Sequence, residues 1–288
     1  MKLSKRSLLY IAYIVGITVF FLYYLFPSDT VKMYLAYRLS QGNPDLTVTI
    51  DRVSPALPPG IRLHDVGIAY RDEALVDLDS LKVVPNLLSL FSSKTTVKFN
   101  GRGHAGALSG RAEINNSRET FSVKIEGRIS GVQVQTIPVL QLLTAHQIFG
   151  GLDGNFTYAD MGPNQSMAGK IAVSDCRIEL ARPVFSLESL AFKDVSADLV
   201  LNKNNMIIKN GKAKGNQLDV NIAGTIASNN VLGKNALNLT GLATPHHALL
   251  TKIEKSFPID LLRRKRAGND AISFKIGGTL DVPGFSLN

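Results

Sequence analysis

Three stretches of this sequence repeat one nine-residue pattern. They cover residues 121–129, 218–226 and 272–280 and read FSVKIEGRI, LDVNIAGTI and ISFKIGGTL. In each copy, apolar residues occupy every second position, and a Gly takes the fourth of these slots. Because successive side chains of a strand point to opposite faces, each copy predicts a strand with one apolar and one polar face. A Gly inside such a strand usually marks a bend, a bulge or a close backbone approach.

The rest of the chain shows the same texture, with short alternating segments separated by Gly, Asn and Ser. This pattern predicts a mostly β protein, built as a long, curved antiparallel sheet. Short helices are predicted at 29–40, 137–149 and 245–257, with a helical turn at 86–91. A sheet with one uniformly apolar face must fold over on itself, pair with a second sheet, or hold an apolar ligand. The sequence leaves these three outcomes open.

Composition sets further bounds on the chain. Its 288 residues are enough for one large β domain or two smaller ones. Only 7% of residues are aromatic and Trp is absent, so Val, Ile, Leu and Ala are expected to form the core. The single cysteine, Cys176, excludes an internal disulfide and a Cys-rich metal site, and we expect it to be a small core residue.

The N-terminus predicts a transmembrane anchor. Basic residues at positions 2, 5 and 6 precede an uncharged run from Leu8 to Phe26. A cleaved signal peptide is the rival interpretation, but it predicts a shorter apolar region and an Ala-x-Ala-like cleavage site, which residues 26–29 lack. The predicted anchor side chains are Leu8, Leu9, Ile11, Ile14, Val15, Val19, Phe20, Leu22 and Phe26.

These features divide the chain into three parts. Residues 1–27 form a cytoplasmic stub and the anchor, residues 28–45 a helix and linker next to the membrane, and residues 46–288 a β-rich domain on the far side. The basic cluster before the span places the N-terminus in the cytoplasm.

The repeated pattern predicts that the apolar side chains of its three strands line a groove. The candidate groove residues are Phe121, Val123, Ile125, Ile129, Leu218, Val220, Ile222, Ile226, Ile272, Phe274, Ile276 and Leu280.

The net charge of +9 invites two interpretations. The Lys and Arg residues are scattered without interleaved aromatics, which argues against nucleic-acid binding. They fit a basic exterior that faces anionic lipid and, equally well, ordinary solvated sheet faces. A basic run after the last predicted helix is a candidate contact for lipid headgroups or a protein partner, with a solvated helix end as the alternative; it comprises Arg263, Arg264, Lys265 and Arg266.

Motifs for catalysis or cofactor binding are weak. Residues 101–106 match a dinucleotide fingerprint, but the residues that follow predict a turn and a strand where that fingerprint needs a helix. The five histidines lack metal-ligand spacing, and no nucleophile elbow occurs. We therefore expect no catalytic residues, no cofactor and no metal, although a carboxylate pair assembled by the fold stays open.

Several segments together resemble a known family. After the N-terminal span come PPGIRLHDV at 58–66, LLSLF at 87–91, SGRAEI at 109–114, LESLAFKDV at 187–195 and ISFKIGGTLDVP at 272–283. This order resembles the type II secretion system protein N (GspN) family and, more broadly, AsmA-like proteins of Gram-negative envelopes. The resemblance implies an inner-membrane anchor, a periplasmic body and a groove-like β fold, a β-taco. It supplies no catalytic residues.

Two functions follow as hypotheses. The first is a non-catalytic, inner-membrane-anchored accessory of the type II protein secretion system, which is implied by the resemblance and would bind secretion components. The second is an AsmA-like module that binds or transfers lipid and holds acyl chains in the apolar groove. Both require the main domain to lie in the periplasm.

Overall fold

The computed structural model describes residues 5–41, 45–71, 73–116, 121–143, 146–161, 164–184, 187–202, 205–227, 234–253 and 271–287. Four α-helices are present in these ranges: α1 (Lys5–Tyr24), α2 (Ser28–Gln41), α3 (Pro138–Leu143) and α4 (His247–Ile253). Two short 3₁₀ helices occupy Leu87–Phe91 and Val134–Thr136. The strands are β1 (Leu46–Ala56), β2 (Gly60–Tyr70), β3 (Glu73–Pro85), β4 (Lys94–Gly103), β5 (Gly106–Asn116), β6 (Phe121–Gln133), β7 (Gln147–Met161), β8 (Asn164–Val184), β9 (Leu187–Asn202), β10 (Asn205–Lys214), β11 (Leu218–Ala227), β12 (Ala236–Pro245), β13 (Ile272–Gly278) and β14 (Pro283–Leu287).

The strands form one open, curved, 14-stranded antiparallel sheet in which the spatial order follows the chain order. Each strand therefore pairs with its neighbours in sequence, as a chain of hairpins requires. The register keeps the apolar residues of adjacent strands opposite one another, for example Ile114 with Val123 and Ile125 with Tyr158. The prediction of a mostly β, curved antiparallel sheet with few short helices is confirmed.

The three repeated segments lie in β6, β11 and β13, and the Gly of each copy has its own structural cause. At Gly127 an added Cβ would collide with the ring of Phe156 on the neighbouring strand. Gly224 has φ +148°, and the backbone of Asn238 lies against it. Gly278 has φ +78° and starts the turn into β14, so the third strand ends there and Leu280 lies outside it.

The alternation of apolar and polar residues slips by one position in β2. Leu63 and Val66 share the apolar face although they are three residues apart, and Asp65 between them has φ +49°. Asp tolerates this left-handed conformation better than most residues. The register between β1 and β2 is the same on both sides of Asp65, so the slip arises from backbone rotation at Asp65. Strand β1 shows the same slip opposite this residue.

The first strands carry a dry core. Val53 is 1% exposed, and it clusters with Val48, Ile50, Leu63 and Val66 on the apolar face of β1 and β2. Helix α2 returns along β1 and covers this cluster with Val31 and Leu35. Its position agrees with the predicted helix at 29–40.

The predicted helix at 137–149 is wrong over its second half. Helix α3 ends at Leu143, and β7 has begun by Gln147, with Ile148 facing Ile178 of β8. Gly150, the residue after the predicted helix, has φ +142° and lies where the register between β7 and β8 shifts.

The predicted helix at 245–257 starts as expected, with α4 over His247–Ile253, and its remainder lies outside the described residues. In the described part of the chain, no helix meets the length and apolarity required for a membrane crossing.

Candidate functional site

The apolar face of the sheet is the candidate site, and it brings the three repeated segments into one surface. Val220 of β11 faces Ala243 of β12, which faces Ile272 of β13, so the second and third copies lie one strand apart. The first copy, in β6, joins the same face further along the sheet. Period-two alternation within each strand and the hairpin register between strands produce this continuity.

Burial varies among the candidate groove residues. Ile226, Ile272 and Phe274 are buried, at 9%, 7% and 4% exposure. The others on described strands are only partly buried; these are Val123, Ile125, Ile129, Leu218, Val220, Ile222 and Ile276. Leu280 is partly buried beyond the end of β13, and the side chain of Phe121 lies outside the described set.

Aromatic rings lie over glycines of neighbouring strands on this face. Phe156 covers Gly127, and in the same way Phe274 covers Gly241. A Cβ at either glycine would overlap the ring, so the glycines make room for the rings. A glycine inside a strand permits a tight bend, and an aromatic neighbour restores the lost contact. These pairs let a long sheet curve while its apolar surface stays continuous.

Sequence reasoning missed much of the face. Strands β4, β5 and β7–β10 also contribute apolar residues in register, including Phe99, Leu108, Tyr158, Val173 and Leu199. Apolar and polar residues alternate in these segments too. Because the segments lack the Gly-containing repeat, their alternation was not distinguishable from that of any ordinary strand.

Cys176 lies on this face, opposite Phe192 of β9, and is 5% exposed. Burial raises the pKa of its thiol, which keeps the sulfur protonated at neutral pH. The expectation that Cys176 is a small core residue is confirmed.

The predicted anchor side chains lie mostly on the surface of α1. Exposed fractions are 73% for Leu9, 51% for Ile11, 61% for Ile14, 41% for Val19 and 62% for Phe20. The side chains of Leu8, Val15 and Leu22 lie outside the described set.

Two residues near the end of α1 contact the sheet domain. Phe26, beyond the helix end, packs against the core cluster under α2. The hydroxyl of Tyr23 donates a 2.6 Å hydrogen bond to the Ala56 carbonyl and so ties the end of α1 to the end of β1.

The end of the sheet next to α1 carries exposed apolar side chains. Because strand direction alternates, the β1–β2 turn, the 3₁₀ helix after β3, the end of β7 and the β13–β14 turn all lie at this end. Their exposed residues, here called the apolar rim, are Leu57 (66%), Leu88 (85%), Met161 (66%) and Val282 (74%).

Ionisable groups on the described residues form no metal site: no group of three or more His, Cys, Asp or Glu side chains converges there. One acid–histidine contact is present, with Asp219 Oδ2 3.3 Å from His246 Nε2. The pKa of the Asp219 carboxyl is held below its usual value, chiefly because the Gly215 N–H donates to Oδ1 at 3.0 Å, with a smaller contribution from His246.

Two motifs from the sequence remain, the dinucleotide-like segment at 101–106 and the basic run at 263–266. The dinucleotide-like segment is a hairpin in which β4 ends at Gly103, His104 and Ala105 turn with positive φ, and β5 begins at Gly106. It has no helix to receive a pyrophosphate. The basic run at 263–266 lies outside the described residues.

The architecture defines a class: a single open antiparallel sheet whose strands share one apolar face. Comparison of this chain with protein-family models, curated proteins and solved structures gave no match.

Proposed function

We propose that the protein is a non-catalytic lipid-holding module whose apolar sheet face accommodates acyl chains. The observation that supports this most directly is the partial exposure of a continuous apolar face, with Val123, Ile125, Val220 and Ile222 all incompletely buried. The described strands form a single sheet, so within the described residues no second sheet covers this face. A partly exposed apolar surface that continues across several strands is typical of a binding site.

The energetics favour a flexible apolar chain as the ligand. Transfer of each methylene from water is worth about 0.8 kcal/mol, so a dozen methylenes contribute about 10 kcal/mol before the cost of ordering is subtracted. The partly buried positions extend over many strands, and a curved sheet follows a long chain better than a compact ligand.

Membrane anchoring by α1 is part of the same proposal. It is supported by the exposed apolar surface of α1, including Leu9, Ile14 and Phe20, and by the basic residues at positions 2, 5 and 6, which precede the apolar run. The apolar rim lies at the end of the sheet to which α1 is tied, so it would face the same bilayer. The anchor would leave the N-terminus in the cytoplasm and the sheet in the periplasm of a Gram-negative cell, at the inner membrane.

A second role, as an accessory of the type II secretion system, rests on the family resemblance. One structural feature favours a protein partner: β14 is a short edge strand with Phe285 64% exposed. An edge strand offers backbone groups for pairing with another chain. Pull-down of the intact membrane protein should recover secretion components, and recovery of none would argue against this role.

In-cell photo-crosslinking tests the lipid-holding face. A photoreactive residue at Ile222, on the apolar face, is expected to yield lipid adducts. The matched control is Asn221, the adjacent, exposed residue on the polar face, where no lipid adduct is expected. Stably folded protein without an adduct at Ile222 would show that the face is closed and would overturn the proposal.

A charge substitution provides the second test. Ile222→Glu should abolish retention of lipid in purified protein while leaving the thermal unfolding temperature close to that of Asn221→Glu. Unfolding of Ile222→Glu alone would identify Ile222 as part of a dry core, because a buried carboxylate without a partner is costly.

Retention of the protein in membranes after alkaline carbonate extraction tests the anchor. Release into the supernatant would contradict anchoring without affecting the proposal for the sheet face.

A further inference from the structure

The polar face of β2–β5 contains a cavity of about 370 Å³. A cavity of this size falls within the range of small-ligand sites. Three of its lining side chains are cationic, namely Arg62, Lys82 and Arg102, and the polar side chains of Ser80, Asn100 and Ser109 lie among them. None of the lining residues that the structure describes is acidic.

Strand register brings the three cations together. Arg62 of β2 lies directly opposite Lys82 of β3, and Arg102 of β4 lies opposite Ser80, two residues from Lys82. Adjacent strands are only about 4.8 Å apart, so three positive charges share a small area. The Lys82 Nζ donates to the Leu57 carbonyl at 2.6 Å, which holds the amine in place without neutralising it.

The sheet offers an internal comparison. A second cavity of about 590 Å³ opens on the polar face of β6–β10 and also contains three cations, Arg128, Lys170 and Lys212. There the protein supplies its own anions, Asp153 and Asp198.

In the second cavity the carboxylates are engaged. Asp198 Oδ1 lies 3.9 Å from Lys170 Nζ and its Oδ2 accepts from the Asn210 amide, while Asp153 accepts from the Gly131 N–H. By contrast, no ion pair in the described part of the chain involves Arg62, Lys82 or Arg102. Within the described residues, the cations of the β2–β5 cavity thus have no carboxylate paired with them, which leaves them available to an external anion.

We propose that the β2–β5 cavity is a binding site for a phosphate-type anion. Two guanidinium groups can each donate paired hydrogen bonds to phosphate oxygens, and the amine of Lys82 adds a point charge. Ser80, Asn100 and Ser109 supply neutral donors around them. The site lies on the opposite face from the proposed acyl-chain surface, so it does not depend on that proposal.

Isothermal titration of the full-length, detergent-solubilised protein tests the site. The probes are inorganic pyrophosphate and glycerophosphoglycerol, the deacylated headgroup of phosphatidylglycerol. Tighter binding of glycerophosphoglycerol would indicate a lipid headgroup as the ligand, and tighter binding of pyrophosphate a free phosphate compound; either supports the site. Absence of binding by both probes would overturn it.

A matched pair of variants tests the location. The double variant Arg62→Gln and Arg102→Gln should weaken binding by about tenfold or more, since it removes two charge-assisted contacts. The double variant Arg128→Gln and Lys212→Gln, in the β6–β10 cavity, also removes two charges and should change affinity by less than about twofold. Equal losses of affinity in the two variants would mean that anion binding depends only on net surface charge, and the site would be rejected.

Asn100→Asp separates binding from folding. This nearly isosteric change supplies an internal carboxylate to the cavity, so it should raise the unfolding temperature and abolish pyrophosphate binding. A variant that kept full affinity would contradict the proposal. If Asn100 had only a structural role, the substitution would not raise the unfolding temperature and lower the affinity for pyrophosphate at the same time.

Discussion

The apolar face of the sheet differs between its first strands and its middle. Under α2, Val53 is 1% exposed and its neighbours on β1 and β2 are nearly as dry. In β6 and β11, Val123 and Ile222 have the same chemistry and the same place in the alternation, yet they are only partly buried. The difference is the covering element: α2 returns over β1, and no described helix of comparable length lies over the middle strands.

This contrast shows that an apolar strand face acquires its role from what covers it. Under α2 it is a conventional core that stabilises the fold. In the middle of the sheet the same pattern leaves apolar surface available to a ligand, and the sheet depends more on hairpin register and on Phe–Gly contacts.

The largest expected effect comes from placing one charge in each region. Val53→Asp should destabilise the protein by more than about 4 kcal/mol, because the carboxylate would be buried without a partner. Val123→Asp should cost less than about 2 kcal/mol, since its side chain is partly solvated. Thermal unfolding followed by circular dichroism compares the two. Equal losses would mean that the middle of the face is as dry as the region under α2.

A backbone substitution sharpens the account of the middle strands. Gly224→Ala should cost about 2–4 kcal/mol, because the positive φ disfavours a side chain and the Asn238 backbone occupies the space of the new Cβ. Gly277→Ala is the control, as its nearest neighbour, the Leu237 carbonyl oxygen, lies at an ordinary 3.9 Å. Denaturant titration measures both variants. Tolerance of Ala at 224 would show that this strand does not need its glycine.

A double-mutant cycle tests the Phe–Gly contact. Phe156→Ala should cost about 1–3 kcal/mol, and Gly127→Ala a similar amount because the new Cβ overlaps the ring. In the absence of the ring, Gly127→Ala should become nearly neutral, which gives a coupling of about 1–3 kcal/mol between the two positions. Additive losses would mean that the ring and the glycine act independently.

The smallest expected effect concerns pH. Because the pKa of Asp219 is lower in the folded protein than in the unfolded chain, its stabilisation is fully present above the unfolded value of about 4. It is lost as the pH falls through the lower folded value. The loss should stay below about 1 kcal/mol, since the side chain is 39% exposed. Asp219→Asn should remove this part of the acid dependence from the unfolding curves, whereas unchanged acid dependence would contradict the assignment.

The fold was largely predictable from local pattern. Alternation identified the strands, and the helical turn predicted at 86–91 and the helix predicted from residue 137 both start within one residue of the observed elements. The end of the helix after Pro138 was not predictable locally, because Gly150-Gly151 suits both a helix end and a bulged strand. Pairing of Ile148 with Ile178, thirty residues away in sequence, decided between them.

The candidate surfaces were predictable to different degrees. The repeat predicted that Val123, Val220 and Phe274 line one apolar face, which they do, but it did not predict how exposed their side chains are. The cationic cavity had no sequence signal, since Arg62, Lys82 and Arg102 follow one another at intervals of twenty residues and come together only through hairpin register.

Strand identity and the separation of apolar from polar faces were encoded locally, because side-chain direction in a strand repeats every two residues. Three outcomes required the folded chain: the dry core at Val53, the partly exposed surface at Ile222 and the meeting of Arg62 with Lys82. These depend on contacts between segments distant in sequence, which no local period specifies. The return of α2 over β1 and the register of successive hairpins supplied those contacts.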